Sequence, residues 1–224
     1  MRANTLKVTP DELTSMVDWK LEQVPWCKEG FYYDGENVRP AKRPYYNAGL
    51  YYIQEPSAMS TGAMLNVEPG DRGFGLWCAA PGGKRYNRLG QAKLKGQGII
   101  VSNDISASRC KALLKNIEVS GVPNCVITNE MPENLAKKFP KFFNKIIVDA
   151  PCSGGGMFRK DDSAVKSWET HKTEMCCGLQ REILKYAADY ACDGGIIAYS
   201  TLYLCSGEDE GMMTGILNTT GKDF

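Results

Sequence analysis

Apolar runs alternate with amphipathic segments over most of the chain beyond about residue 70. The apolar runs predict strands at Gly73–Cys78, Gly98–Asn103, Cys125–Thr128, Lys145–Asp149 and Gly195–Ser200. The segments between them predict helices at Arg85–Leu94, Ala107–Ser120 and Ala164–Ala191. Regular alternation of this kind predicts an α/β domain, in which right-handed βαβ units build a parallel sheet with helices on both faces.

The first 55 or so residues follow a different pattern. Thr9 and Pro10, followed by two acidic residues, mark the start of a helix that we expect to run to about Leu21. The aromatic and Gly-rich stretch WCKEGFYYDGENVRP then predicts short strands joined by turns. We therefore expect two units: a partial α+β module over residues 1–55 and the α/β domain over residues 56–224.

Composition excludes several classes of protein. The charge is nearly balanced, with 27 Lys+Arg against 26 Asp+Glu, so it argues neither for nor against nucleic acid. The nine cysteines are scattered and form no pair of CxxC units, which favours reduced thiols over disulfides or a metal site. No apolar run approaches the roughly 20 residues of a membrane span. These features predict a cytoplasmic protein without a metal.

The first predicted strand leads into a loop suited to a cofactor. The string CAAPGGK offers small residues that let a ligand approach the backbone, a helix start and a cation. It is not a phosphate-binding P-loop, because Arg85 stands where Ser or Thr would follow the lysine. The candidate cofactor residues in it are Cys78, Ala79, Ala80, Pro81, Gly82, Gly83 and Lys84.

Asp104 follows the second predicted strand, about 20 residues after the glycine pair. An acid at that point commonly binds the ribose hydroxyls of an adenosine-containing cofactor. The alternative is that Asp104 only caps the helix that begins near Ser106. The spacing between Asp104 and the glycine pair of the candidate cofactor loop favours ribose binding.

A second loop follows the apolar run Ile146–Val148. Asp149 ends this run, and Pro151 and Cys152 come next. An open α/β sheet places its ligands at the carboxyl ends of its strands. The two loops therefore predict one site with a cofactor half and a substrate half.

The motifs in these positions resemble a known family. CAAPGGK, SNDISASR, VDAPCSGGGMFRK and AYSTLYLCSGEDE, with AGLYYIQEPSAM upstream, are similar to the ordered motifs of the Sun-type RNA cytosine methyltransferases. The bacterial ribosomal-RNA members of the RsmF kind are the most similar. The resemblance implies a Rossmann-like sheet of the class I S-adenosylmethionine-dependent methyltransferases. It also implies methyl transfer from that cofactor to carbon 5 of a cytosine in RNA, with ribosomal RNA as the partner.

The resemblance also implies roles for single residues. In the family a thiolate adds to carbon 6 of the base, which makes carbon 5 nucleophilic. The acid matching Asp149 stabilises that adduct and borders the cofactor, and the thiol matching Cys152 assists product release. Arg109 would contact the cofactor. Arg159 and Lys160 would suit RNA phosphates, although exposed loop cations are more often only solvated.

One departure from the family affects the reaction directly. The attacking cysteine belongs in a string of the form YSTCT, and here the string is YSTLY, with Leu202 at that position. Two other thiols are candidate substitutes. Cys205 lies three residues further on, and Cys152 matches the thiol that DNA cytosine methyltransferases use for the attack. The sequence therefore predicts a methyltransferase core with impaired turnover, or a non-catalytic protein that binds RNA or S-adenosylmethionine.

Further departures lie at Leu76, Arg85, Tyr86, Asn87, Asn144 and Gly155. The chain also stops at Phe224, where we expect a seven-stranded methyltransferase sheet to need two more strands. A fragment, an engineered form and a degenerate family member all fit this pattern. A nucleotide-binding oxidoreductase fits poorly, because the GxGxxG turn is absent and the APCSG loop would have no role.

Overall fold

The computed structural model describes residues 1–76, 94, 97–150, 173–201 and 210–220. Short elements form the N-terminal part: β1 (Arg2–Ala3), α1 (Pro10–Met16), β2 (Glu22–Gln23), β3 (Phe31–Tyr32), a 3₁₀ turn (Pro40–Lys42), α2 (Pro44–Asn47), β4 (Tyr51–Tyr52) and α3 (Ser57–Met64). The longer elements are β5 (Arg72–Leu76), β6 (Ile99–Asn103), α4 (Ala107–Ser120), β7 (Cys125–Thr128), α5 (Pro132–Lys138), β8 (Phe143–Asp149), α6 (Thr173–Tyr190), β9 (Ala191–Ser200) and α7 (Glu210–Thr220).

The five long strands form one parallel sheet in the order β7–β6–β5–β8–β9. This confirms the predicted parallel sheet, and two predictions, the strand Cys125–Thr128 and the helix Ala107–Ser120, match residue for residue. The predicted helix Arg85–Leu94 lies outside the described residues apart from Leu94. The N-terminal strands pair separately, β1 with β4 and β2 with β3, both antiparallel.

The two faces of the sheet carry different helices. Ile146 and Val148 are buried on one face in the core that α5 and α6 close. Ile147, which points to the other face, packs against Leu65 just after α3. On that second face the buried residues of α4 pack against β7. Helices therefore cover both faces of the sheet, as the alternation predicts.

Aromatic side chains hold the centre of the first face. The ring of Phe74 lies 4.6 Å from that of Phe143 and 5.0 Å from that of Tyr190, between ring centroids. The Tyr190 hydroxyl donates to the carbonyl of Pro132 at 2.5 Å, and burial raises the pKa of this hydroxyl. Ring pairs at these distances add stabilisation beyond the area that they bury. They join β5, β8 and the end of α6.

Two predicted boundaries differ from the structure by four residues or more. The first helix ends at Met16 and not near Leu21, because Val17 is extended and Val17, Trp19 and Leu21 pack at alternate positions against the N-terminal core. The last strand begins at Ala191, four residues before the predicted Gly195. The ladder with β8 is irregular there, and a Cβ on Gly195 would lie 2.9 Å from the carbonyl oxygen of Cys192. The Gly pair at residues 194 and 195 resembles a turn in the sequence, so the prediction starts the strand after the first of these glycines and not at Ala191.

The N-terminal part is fastened to the C-terminal end of α4. Lys7 Nζ donates to the carbonyl of Val119 at 2.8 Å, and Asn4 Nδ2 donates to that of Ser120 at 2.9 Å. Gly121 has a left-handed backbone conformation, and its amide donates to the carbonyls of Ile117 and Glu118. All four terminal carbonyls of α4 are thus satisfied, two of them by the N-terminal part.

Candidate cofactor and substrate site

The order of the strands reverses between β5 and β8. From β5 the chain passes outward to β6 and β7, and it then returns to β8 and β9 on the other side. Leu76, the last residue of β5, pairs with Val148, so β5 and β8 reach the carboxyl edge of the sheet side by side. Ligands of open α/β sheets bind at such a reversal. The two loops predicted to carry the site therefore leave from adjacent strands.

Three predicted site residues lie in the described part of the chain, namely Asp104, Arg109 and Asp149. The others lie outside the described residues: Cys78, Ala79, Ala80, Pro81, Gly82, Gly83, Lys84, Cys152, Arg159, Lys160, Leu202 and Cys205. For these the predictions stand on the sequence.

Asp104 directly follows β6 and is 1% exposed. Its amide donates to the carbonyl of Thr128 at 3.2 Å. Its own carbonyl oxygen accepts from Asn129 Nδ2 at 2.7 Å and from the thiol of Cys110 at 3.2 Å. The backbone on both sides of Asp104 is therefore held by β7 and α4.

The two carboxylate oxygens of Asp104 have different surroundings. Oδ1 accepts from the amide of Ser106, the residue that precedes α4, at 2.8 Å, and Arg109 Nε lies 3.5 Å away. Oδ2 is buried and has no hydrogen-bond partner among the described residues. Oδ1 is thus used in the turn that leads into α4, where Ser106 is the N-cap residue. The second oxygen is left for a donor, as a ribose hydroxyl would be.

Asp149 is the last residue of β8 and is half-buried. It pairs with Ser200 of β9, and the next amide, that of Ala150, donates to the carbonyl of Ser200 at 2.9 Å. Alternation along β8 puts Asp149 on the face of Ile147, which packs near α3. The acid therefore stands at the carboxyl edge, between the ends of β5 and β9.

Two asparagines near Asp104 were not predicted as site residues. The buried Asn103 accepts from the amide of Glu130 at 3.0 Å and donates to its carbonyl at 2.9 Å, which fixes the turn after β7. Asn129 lies in that turn and contacts Asp104. One feature of the sequence could have indicated both asparagines. A pair of polar residues lies at the carboxyl end of each strand, Asn103 with Asp104 at β6 and Asn129 with Glu130 at β7.

Two of the residues that depart from the family pattern, Asn144 and Leu76, lie in the described part of the chain. Asn144 lies at the amino edge, away from the site, where its Nδ2 donates to Asp71 Oδ1 at 2.7 Å and its Oδ1 accepts from the amide of Arg72 at 2.8 Å. It joins β5 to β8 and does not touch the site. Leu76 ends β5 at the carboxyl edge of the sheet.

Burial raises the pKa of the Cys110 thiol. It also raises the pKa of Cys125 to about 11. Both side chains are therefore neutral at physiological pH and are poor nucleophiles.

Over the described ranges, no three His, Cys, Asp or Glu side chains come together as a metal site would require. None of the described helices is long and apolar enough to cross a bilayer.

Comparison with known families agrees with this geometry. The model of the 16S rRNA methyltransferase RsmB/F family matches residues 63–223. This chain belongs to the RsmB/F family of 16S rRNA methyltransferases. The model of the N-terminal domain of 16S rRNA methyltransferase RsmF matches residues 1–56. The resemblance seen in the motifs is confirmed.

Individual relatives cover nearly all of the chain. Ribosomal RNA small subunit methyltransferase F of Serratia proteamaculans is 36% identical over 228 aligned residues, which cover 99% of this chain and 47% of that protein. A methyltransferase homologue from Pyrococcus horikoshii is 29% identical with a TM-score of 0.82, over 97% of this chain and 68% of that one. The chain spans about half the length of the curated relatives that it matches.

The structural relatives confirm the predicted fold class, the Rossmann-like sheet of S-adenosylmethionine-dependent methyltransferases. A further solved structure, NSun6 from Pyrococcus horikoshii with SFG, is 20% identical with a TM-score of 0.82, over 97% of this chain and 78% of that one. At that identity it shows the fold alone. S-adenosylmethionine is the cofactor class of the family, which agrees with the cofactor predicted from the motifs.

Proposed function

We propose that this chain is the core of a ribosomal-RNA methyltransferase that acts on carbon 5 of a cytosine and uses S-adenosylmethionine. The observation that carries this proposal is the carboxyl edge of the sheet, where Asp104 directly follows β6 and Asp149 ends β8, the two strands on either side of β5. Membership of the RsmB/F family supports ribosomal RNA as the substrate. A cytoplasmic location follows from that substrate.

Asp104 and Arg109 would hold the cofactor. The buried Oδ2 of Asp104 has no hydrogen-bond partner among the described residues, so it fits a hydroxyl donor such as those of a ribose. Arg109 lies beside the same carboxylate, with its side chain 39% exposed. The loop Cys78–Lys84 would supply the backbone approach to the rest of the molecule. S-adenosylmethionine, when bound, supplies the methyl group.

Asp149 would serve the base. A half-buried carboxyl group at the edge can hold a proton against the ring nitrogen of cytosine and so stabilise an adduct at carbon 6. Cys152, three residues on, would assist elimination of that adduct. The base must leave its stack to reach this edge, and Arg159 and Lys160 would bind the phosphates beside it.

Leu202 removes the nucleophile from this scheme. Its side chain carries no group that can add to carbon 6, and loss of a covalent nucleophile costs several powers of ten in rate. Turnover is therefore impaired unless Cys205 or Cys152 takes over the attack. This substitution is also the observation that favours the second candidate, a protein that binds RNA or S-adenosylmethionine without catalysis.

The test is methyl transfer from radiolabelled S-adenosylmethionine to unmodified 16S rRNA by the parent chain and by Leu202→Cys. The matched control is Leu204→Cys, which adds a thiol two residues away. We expect Leu202→Cys to raise transfer about a hundredfold or more and Leu204→Cys to leave it unchanged. Equal null activity of all three, where an intact relative methylates the same RNA, would contradict the catalytic proposal.

A further inference from the structure

The backbone of Asp104 is fixed from two sides. Its amide donates to Thr128 of β7, and its carbonyl accepts from Asn129 Nδ2 at 2.7 Å and from Cys110 Sγ at 3.2 Å. These bonds hold the peptide planes before and after the residue, and the planes set the direction of its Cα–Cβ bond. The 2.7 Å bond from Asn129 is the shortest of the three. It is also the only one made by an exposed side chain.

The carboxylate is restrained as well, by the amide of Ser106 and by Arg109, whose Nε lies 3.5 Å from Oδ1. Oδ1 is held by the amide of Ser106 at 2.8 Å, so rotation about the side-chain bonds is limited as well. With both the backbone and Oδ1 fixed, Oδ2 has a single direction in which to accept a hydrogen bond. A contact that orients a binding group contributes to affinity without touching the ligand, because the group need not be ordered on binding.

We propose that Asn129 is a positioning residue of the cofactor site, which orients Asp104 toward the ribose hydroxyls of the adenosyl ligand. The inference rests on the proposed function, since it requires Asp104 to bind a ribose. Asn129 acts through the carbonyl of Asp104 and not through contact with the ligand. Its loss therefore weakens the ribose contact in particular and leaves the other contacts to the ligand in place.

Asn124 offers a matched control at the opposite end of the same strand. Its Nδ2 donates to the carbonyl of Gly98 at 2.9 Å, at the amino ends of β7 and β6. Like the bond from Asn129 to Asp104, it joins an asparagine Nδ2 to a backbone carbonyl at a similar distance. It lies, however, at the amino edge of the sheet, away from the proposed site. Asn129→Ala and Asn124→Ala thus remove equivalent bonds, and only one of them bears on Asp104.

The experiment is a calorimetric titration of the parent chain, Asn129→Ala and Asn124→Ala with S-adenosylhomocysteine and with its 2′,3′-dideoxy analogue. Thermal unfolding of each protein is followed in parallel. We expect Asn129→Ala to bind S-adenosylhomocysteine about fivefold more weakly and the analogue as the parent does. Asn124→Ala should bind both ligands as the parent does. Asn129→Gln, which keeps the amide donor, should restore the affinity.

Three results would overturn the proposal. Unchanged affinity of Asn129→Ala for S-adenosylhomocysteine would do so while leaving the cofactor assignment intact. An equal loss for both ligands would mean that Asn129 contacts the ligand itself or only stabilises the fold. A folded parent chain that binds neither ligand would remove the proposed function and this inference together.

Discussion

Asp149 lies opposite Ser200 in the ladder between β8 and β9, and the amide of Ala150 donates to the carbonyl of Ser200 at 2.9 Å. The two strands therefore reach the carboxyl edge of the sheet together. Position 202 follows Ser200 by two residues. The acid that would stabilise the base adduct and the position of the family nucleophile thus leave from neighbouring points. For this reason the proposed function makes Leu202 the residue to test first.

The joint between the N-terminal part and α4 requires a glycine at position 49. Gly49 has a φ of +72°, and a Cβ there would lie 2.1 Å from the carbonyl oxygen of Val119. We expect Gly49→Ala to lower the free energy of unfolding by more than about 3 kcal/mol, through the clash and the left-handed backbone together.

Gly70→Ala is the control for Gly49→Ala. Gly70 also has a positive φ, of +96°, but no atom of its surroundings lies within 4 Å of the added Cβ. Its substitution should cost only the backbone term, about 1–2 kcal/mol. Urea unfolding of both variants measures the difference. Equal losses would mean that the N-terminal part does not pack on α4 as described.

Asn144→Asp tests the bond that joins the amino ends of β5 and β8. The amide of Asn144 donates to Asp71 Oδ1, so an aspartate would turn this donor into an acceptor that faces another carboxylate. We expect a loss of about 1–3 kcal/mol in unfolding free energy at neutral pH and no change in cofactor affinity. Asn37→Asp is the exposed counterpart, because Asn37 Nδ2 donates to Asp34 Oδ2 at 2.7 Å in a solvent-exposed turn, where the same change should cost less. A change in cofactor affinity with unchanged stability would contradict this placement.

Stability at alkaline pH should depend on Cys125. Burial raises the pKa of its thiol from 9.0 to about 11 in the folded chain. The folded state therefore keeps a proton that the unfolded state loses, and the free energy of unfolding falls as the pH rises from about 9 to about 11. Below that window the contribution is fully present. Denaturant unfolding across this range should show a shallower fall for Cys125→Ala than for the parent, and equal slopes would contradict the assignment.

The sequence predicts the sheet well because its strands are short buried runs between amphipathic helices. Parallel strands covered on both faces leave little ambiguity of pattern, and the buried run Ile146–Val148 of β8 shows this. Boundaries that depend on tertiary packing are less predictable. Val17 leaves the first helix because alternate apolar residues find the N-terminal core, and Ala191 enters β9 before a Gly pair that reads as a turn.

The sequence predicts the position of Asp104 at the carboxyl end of β6, and its role as a ribose ligand stays a prediction. The different surroundings of its two carboxylate oxygens could not be predicted. Only the structure shows that Oδ1 accepts from the amide of Ser106 while Oδ2 has no hydrogen-bond partner among the described residues. The contact of Asn129 with Asp104 depends on the pairing of β6 with β7, which no local pattern encodes. The same holds for Lys7, whose contact with Val119 joins residues 112 positions apart.

The central claim is that the carboxyl edge of this sheet binds S-adenosylmethionine through Asp104. The most direct test is a calorimetric titration of the parent chain and of Asp104→Asn with S-adenosylmethionine, with the exposed Asp193→Asn as control. We expect the parent and the control to bind in the micromolar range and Asp104→Asn to bind at least about tenfold more weakly. A folded parent without affinity for S-adenosylmethionine, or an Asp104→Asn variant that binds as tightly as the parent, would contradict the claim.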